Sequence, residues 1–242
     1  MAPRVLFLYN DPMAPEAMLG EAFTEAGYDV STFDVVPASR TADPAFDVQF
    51  PDPAAYDVIV PLGARWAVYD EALRSTWVGA QTRMMLDAAA AGIPTLGVCF
   101  GGQLLAQAFG GSVQRSDAPE IGWYDLESTD HELIPPGPWF EWHFDRWTLP
   151  PGATEIARNA RASQAFVLGR AVAVQFHPEL DPALLELWIE DDLEVQEAAQ
   201  VDRTHDELRS ATAELRDDAA RRVRRLVQGF LAHTARQPCP SS

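Results

Sequence analysis

Three short segments carry residue types that could act together on a carbonyl carbon. The first is Gly97-Val98-Cys99-Phe100-Gly101, set between a strand-like run and a helical one. It is the thiol form of the Gly-x-Ser-x-Gly turn, which lifts a nucleophile above the edge of a sheet. Gly97 and Gly101 permit close approach because they lack Cβ. A helix beginning beyond Cys99 would aim its free N–H groups at the sulfur, which favours a thiolate. A lone cysteine in an apolar stretch is ordinarily structural. The paired glycines and the strand-to-helix setting put the nucleophile reading ahead.

A thiolate nucleophile needs a proton carrier. The best placed of the five histidines is His177, at the end of the apolar run Ala171–Phe176. Pro178 biases it to an extended conformation, and residues two apart in an extended segment share a side. Glu179 can therefore hold the imidazole tautomer, as the third member of a triad does. A His-Pro-Glu alone is an ordinary strand-end turn; the cysteine turn gives it meaning. The third segment is Gly63-Ala64-Arg65, which follows an apolar run. Its N–H groups, with that of Phe100, could form an oxyanion hole, although a plain strand-to-helix turn reads equally well.

These segments need a scaffold. Val5–Tyr9, Val30–Val36, Asp57–Leu62 and Thr95–Val98 read as strands, and residues 37–56 as loop. Glu16–Ala26, Trp77–Ala91 and Gly101–Phe109 have helical spacing, with Gly27 and Gly92 as stops. This alternation predicts an α/β fold with a mostly parallel central sheet and flanking helices. Beyond Gly110 come Gly122–Leu126, Trp139–His143, Glu155–Arg158, Ala165–Leu168 and Ala171–Phe176, expected as antiparallel additions to that sheet. From Pro182 the chain reads as helical to about Arg236. Val223, Leu226, Val227, Phe230 and Leu231 form an apolar stripe there. Residues 1–181 are thus expected to form one domain. Residues 182–242 are expected as a C-terminal helical extension packed on it, with a disordered tail over 237–242. The charge runs Asp191-Asp192 and Asp217-Asp218 read as surface.

Composition narrows the chemistry. The 242 residues carry a formal charge of −18, and all 18 bases are Arg. Without Lys there is no P-loop lysine, no Schiff base and no lysine base. The acidic balance argues against nucleic acid. Two cysteines, Cys99 and Cys239, make no disulfide framework, so a reducing cytoplasm is expected. The chain opens directly on a strand pattern without a leader-like segment. No apolar run reaches about 18 residues, so no membrane span is expected. No spacing suggests a metal site, and no cofactor is implied. His131, His205 and His233 receive no role. Trp139, Trp142 and Trp147 read as core rather than pocket.

Together the segments resemble a known family, the class I (triad-type) glutamine amidotransferases, over roughly residues 5–180. The resemblance takes in Leu62-Gly63, Val68-Tyr69-Asp70, the cysteine turn through Gly110-Gly111, and Ile121-Gly122-Trp123. It continues through Trp142-His143-Phe144-Asp145, Leu149–Ala153, Gln164-Ala165-Phe166 and Gln175–Glu179. The texture is similar to the stand-alone branch that resembles the glutaminase domain of GMP synthase. From the length of the chain, that enzyme's ATP-pyrophosphatase half is not expected here.

The resemblance implies a flavodoxin-like fold and glutamine hydrolysis. Cys99 would attack the γ-carboxamide, and N–H groups of Phe100, Gly63 and Ala64 would hold the oxyanion. His177 would protonate the departing ammonia, leaving a γ-glutamyl thioester for water. By the same resemblance Gln103 belongs to the glutamine pocket. His143 lies in a substrate-side loop, where a structural histidine paired with Asp145 is an equal reading. A separate synthetase or acceptor subunit would take the ammonia. A hydrolase of γ-glutamyl peptides or conjugates would use the same residues, and a non-catalytic regulatory relative would keep the fold. One departure stands out: the family's Gly-Gly-Pro is Gly63-Ala64-Arg65 here. Ala disfavours positive φ, so the turn is expected to be rearranged or to need a conformational change. Arg65 and Arg115 are the candidates to meet a substrate carboxylate, with a solvated Arg65 as the plainer alternative.

Overall fold

Strands that are buried on both faces must be apolar throughout, which is the mark of parallel pairing under helices. Such runs form the centre of this structure, a computed structural model that describes residues 1–195, 197–201 and 203–237. The strands are β1 (Arg4–Tyr9), β2 (Asp29–Asp34), β3 (Val58–Pro61), β4 (Thr95–Val98), β5 (Ser112–Asp125), β6 (Glu127–Ser128), β7 (Pro138–Thr148), β8 (Thr154–Arg158), β9 (Ser163–Leu168) and β10 (Ala171–Val174). The helices are α1 (Ala17–Glu25), α2 (Glu71–Arg74), α3 (Trp77–Ala90), α4 (Phe100–Ala108), α5 (Pro182–Val195) and α6 (His205–Arg236).

Eight strands form one sheet in the order β2-β1-β3-β4-β10-β9-β8-β6. The first five pair in parallel, and β9, β8 and β6 add antiparallel to them. The expected antiparallel additions are present in part: β10, from the expected Ala171–Phe176, is antiparallel to β9 but parallel to β4, and so belongs to the parallel core. Gly122–Leu126 and Trp139–His143 do not extend the main sheet; they lie within or at the end of β5 and β7, which pair only with each other. The physical reason is length. The two strands pair with each other from Ser112↔Thr148 to Asp125↔Pro138, with a break between Arg115 and Glu120, so each finds its partner in the other.

Both faces of the main sheet are covered. α1 and α6 close one face, where Leu19, Phe23, Leu226 and Phe230 meet Phe7 and Val58. α3 and α4 close the other, where Trp77, Met85 and Leu105 meet Leu6 and Ile59. The stripe on α6 is buried as its spacing requires, with Val223, Leu226, Val227 and Phe230 at most 1% exposed. Each such side chain contributes about 1.5–3 kcal/mol by leaving water. The expected single helical run from Pro182 is broken in two. Thr204 and Glu207 form a reciprocal capping box that starts α6 as a new helix. Cys239 and the tail from 238 onward lie outside the described residues. Among the described residues, no helix is long and apolar enough to cross a membrane.

Candidate active site

The site lies beyond the C-terminal ends of neighbouring parallel strands, where α/β sheets bind ligands. β4 and β10 are paired, with Val98 opposite Val174. Cys99 therefore follows one strand, and Gln175-Phe176-His177 follows its neighbour. The Cys99 N–H donates to the Val174 carbonyl at 2.8 Å, locking the two ends together.

Cys99 sits at φ 50°, ψ −108°, a conformation that ordinary side chains avoid. α4 begins at the next residue. The two glycines of the motif are demanded by packing. A Cβ on Gly101 would stand 1.9 Å from the Pro61 carbonyl oxygen, and one on Gly97 would stand 2.6 Å from the Gly101 oxygen. The strand and helix are too close for any other residue.

His177 and Glu179 form a buried pair, with Nδ1 and Oε1 2.7 Å apart and side-chain exposures of 4% and 0%. Burial opposes the imidazolium. The Glu179 carboxylate and the Cys99 sulfur outweigh it, so the His177 pKa stands well above its ordinary value. With Nδ1 held by Glu179, Nε2 is left without a well-formed hydrogen bond among the described residues. Trp188, from α5, packs edge-on against the imidazole with ring centroids 4.7 Å apart.

The Gly63 turn abuts both groups. A Cβ on Gly63 would lie 3.2 Å from His177 Cε1 and 3.8 Å from Cys99 Cβ. Neither Gly63 nor Ala64 has positive φ. In this conformation Ala64 carries no left-handed backbone strain. The N–H groups of Gly63, Ala64 and Phe100 make no hydrogen bond to another described residue.

The remaining expected residues divide. Gln103 Nε2 donates to Gln175 Oε1 at 3.4 Å, and Gln175 Nε2 lies 3.7 Å from Cys99 Sγ. His143 lines the cavity but is 3% exposed. Its Nδ1–H donates to the Asp145 main-chain carbonyl at 3.0 Å, and its Nε2 lies 3.1 Å from Glu141 Oε2. The expected partner was Asp145; the structure supplies its backbone oxygen rather than its carboxylate. Burial, partly offset by Glu120, lowers the His143 pKa to about 4. Burial and the nearby Glu120 hold Glu141 well above the carboxylate range. Glu141 Oε2 and His143 Nε2 are thus close but make no well-formed hydrogen bond. Arg65 also lines the cavity, but its guanidinium meets Asp11 and Asp191. Arg115 stacks on the Phe144 ring at 4.3 Å.

The cavity encloses about 170 Å³. Trp142 lines it, against expectation, while Trp139 and Trp147 are core. Asp192, expected at the surface, is 1% exposed and bonds His205 Nε2 at 2.8 Å. Sequence reasoning passed over Asp11, Glu141 and Trp188, since no local pattern marks them. Among the described residues, no group of three or more His, Cys, Asp and Glu side chains could hold a metal ion.

Residues 73–191 match the family model described as Glutamine amidotransferase class-I. This chain carries a class-I glutamine amidotransferase domain. The match includes Cys99, His177, Glu179 and Trp188, and begins after the Gly63 turn. A solved glutamine amidotransferase from Thermotoga maritima has a TM-score of 0.81 at 25% identity, covering 96% of this chain and 99% of that one. One from Methylobacillus flagellatus shares the fold at TM-score 0.74 and 23% identity, covering 95% of each. A glutamine-hydrolyzing GMP synthase from Thermus thermophilus is 42% identical over 103 residues. Its counterpart from Aeropyrum pernix is 36% identical over 98 residues. Both matches cover 37% of this chain and 19% of the relative, so the chain spans about a fifth of those enzymes.

Proposed function

We propose that this class-I glutamine amidotransferase domain hydrolyses the γ-carboxamide of glutamine through Cys99, His177 and Glu179. The observation that carries this reading is the meeting of Cys99, after β4, with the buried His177–Glu179 pair, after the adjacent β10. The Cys99 sulfur attacks the amide carbon, its proton residing on His177 Nε2. The free N–H groups of Phe100, Gly63 and Ala64 supply the oxyanion donors, a kind of stabilisation worth about 10²–10³ in rate per donor. The C–N bond breaks as Nε2 gives its proton to the leaving nitrogen, which departs as ammonia. A γ-glutamyl thioester remains on Cys99. His177 then takes a proton from water, hydroxyl adds to the thioester carbon, and the C–S bond breaks to release glutamate. Glu179 holds Nδ1–H throughout and supports the imidazolium.

Ammonia release is useful only with an acceptor, so a separate synthetase partner fits this reading. A thiol nucleophile fits a reducing cytoplasm.

The test is glutamate release from glutamine and from a panel of γ-glutamyl amides and peptides, with wild type and Cys99→Ala. Turnover of glutamine that is lost in Cys99→Ala is expected. Turnover of γ-glutamyl conjugates with negligible glutamine turnover would replace glutamine as the substrate. Activity surviving Cys99→Ala would defeat the mechanism.

A further inference from the structure

The turn that carries two of the oxyanion donors is held from both sides by the loop after β1. On one side, Asn10 Nδ2 donates to the Leu62 carbonyl at 2.8 Å, and Gln81 Nε2 steadies Asn10 Oδ1 at 2.9 Å. On the other, Asp11 takes three bonds from one residue. Arg65 Nε donates to Asp11 Oδ2 at 2.7 Å, Nη2 to Oδ1 at 3.3 Å, and the Arg65 main-chain N–H to Oδ2 at 3.2 Å. The Asp11 side chain is 4% exposed. A forked guanidinium on a buried carboxylate fixes direction as well as distance.

The guanidinium has a second arm. Arg65 Nη1 reaches Asp191 Oδ1 and Oδ2 at 3.2 and 3.3 Å. Asp191 lies on α5, the helix that also carries Trp188. Trp188 packs on His177 and donates its Nε1–H to the Met13 carbonyl at 2.6 Å. α5 therefore grips the same loop that grips the turn. Arg65 has already met two carboxylates and is poorly placed to read a third on a substrate.

We propose that Arg65 is a positioning residue: through Asp11 it fixes the Gly63-Ala64 oxyanion turn, and through Asp191 it ties that turn to α5. The helical extension thereby takes part in holding the catalytic geometry. The role of the turn rests on the glutaminase reading; the tethering does not. The restraint that Arg65 places on the turn is electrostatic. Oxyanion donors act chiefly in the transition state, so loosening them lowers kcat rather than raising KM.

The experiment compares wild type with Arg65→Met, Arg65→Lys and Asp191→Asn. Three quantities are read: glutamine kcat and KM, thermal melting, and amide hydrogen exchange of residues 58–67. Arg65→Met is expected to lower kcat by roughly 30- to 300-fold, with KM changed less than about threefold. Lys at 65 keeps the charge without the fork and restores part of the loss. Asp191→Asn, which cuts only the half-exposed arm, is expected to lower kcat by about two- to fivefold without changing the melting temperature. Exchange in 58–67 should quicken in the same order. Unchanged kcat and exchange in Arg65→Met would overturn the proposal, and so would a rise in KM alone, the mark of a substrate reader. If Arg65→Met does not fold, Arg65→Lys and Asp191→Asn decide by the same criteria. If wild type shows no Cys99-dependent turnover, the glutaminase reading fails, and the exchange rates still judge the tether.

Discussion

Replacing Glu179 by Gln isolates what the buried carboxylate does for His177. The change keeps the shape and an acceptor oxygen for Nδ1–H, and removes one negative charge. In the wild type, burial opposes the imidazolium and the two anionic partners overcome it, leaving the His177 pKa well above 6.5. Without Glu179, burial gains the upper hand and the imidazole stays neutral at neutral pH. The leaving nitrogen then lacks its acid. Loss of the orienting carboxylate in a comparable triad costs about 10⁴ in rate, and general acid–base catalysis as a whole supplies about 10²–10⁴. Glu179→Gln should therefore lower kcat roughly 10³-fold, about 4 kcal/mol at 1.36 kcal/mol per decade. The assay is glutamate release between pH 5.5 and 9.5. The alkaline limb of the wild-type profile should move to lower pH in the variant. Stability provides a second reading with a definite sign. A histidine whose folded pKa is raised stabilises fully below its unfolded value near 6.5, and that stability is lost as pH rises through the folded value. The wild type's advantage over Glu179→Gln in chemical denaturation should thus be largest below pH 6.5 and shrink towards alkaline pH. A variant within fivefold of wild-type kcat, with an unmoved alkaline limb, would refute the reasoning.

Two further changes test the neighbourhood. Gly63→Ala would put a Cβ 3.2 Å from His177 Cε1, so the imidazole must give way by a few tenths of an ångström; kcat should fall about 10- to 100-fold, a misplacement effect, while thermal melting changes little. His143 has the opposite linkage to His177, because burial lowers its folded pKa to about 4. Its stabilisation is present above pH 6.5 and lost as pH falls towards 4, a loss of up to about 3 kcal/mol. Denaturation of His143→Gln at pH 6.5 and 4.5 should show a smaller loss than wild type, and an equal loss would exclude His143 as its source.

Much of the scaffold was legible because its code is local. Thr95–Val98 is a strand with the bounds expected, and Trp77–Ala90 ends one residue short of expectation at Gly92's approach. The proximity of Cys99, His177 and Glu179 was legible because each sits in a motif whose spacing fixes its direction. The separate pairing of β5 with β7 was not, since it depends on a register joining Ser112 to Thr148 across a long excursion. The course of the Gly63-Ala64 backbone, which avoids positive φ, has no signature in the sequence beyond Ala64 itself. Arg65 looked free because Asp11 and Asp191 lie 54 and 126 positions away. Neither separation leaves a trace in local pattern. Glu141 was invisible for a related reason: it alternates with apolar neighbours in β7 as a surface residue would, yet its side chain is fully buried.

The distribution of charge now has a structural meaning that composition alone did not supply. Asp191 and Asp192 are adjacent on α5 and look alike as a solvated pair. Asp191 closes on Arg65 beside the Gly63-Ala64 turn, whereas Asp192 is buried and accepts from the Glu197 main-chain N–H and His205. One carboxylate thus ties α5 to the active site and the other ties it to the start of α6. Glu197, nearby, accepts from Trp142 Nε1 at 2.6 Å, and burial, with Asp192 and Asp191 adding to it, raises its pKa. These acids cannot be exchanged with the exposed ones on α6, although the sequence writes them in the same letters. An extension held by such contacts also packs Trp188 against the His177 imidazole. The same helix touches His177 through Trp188 and reaches the residue after Gly63-Ala64 through Asp191.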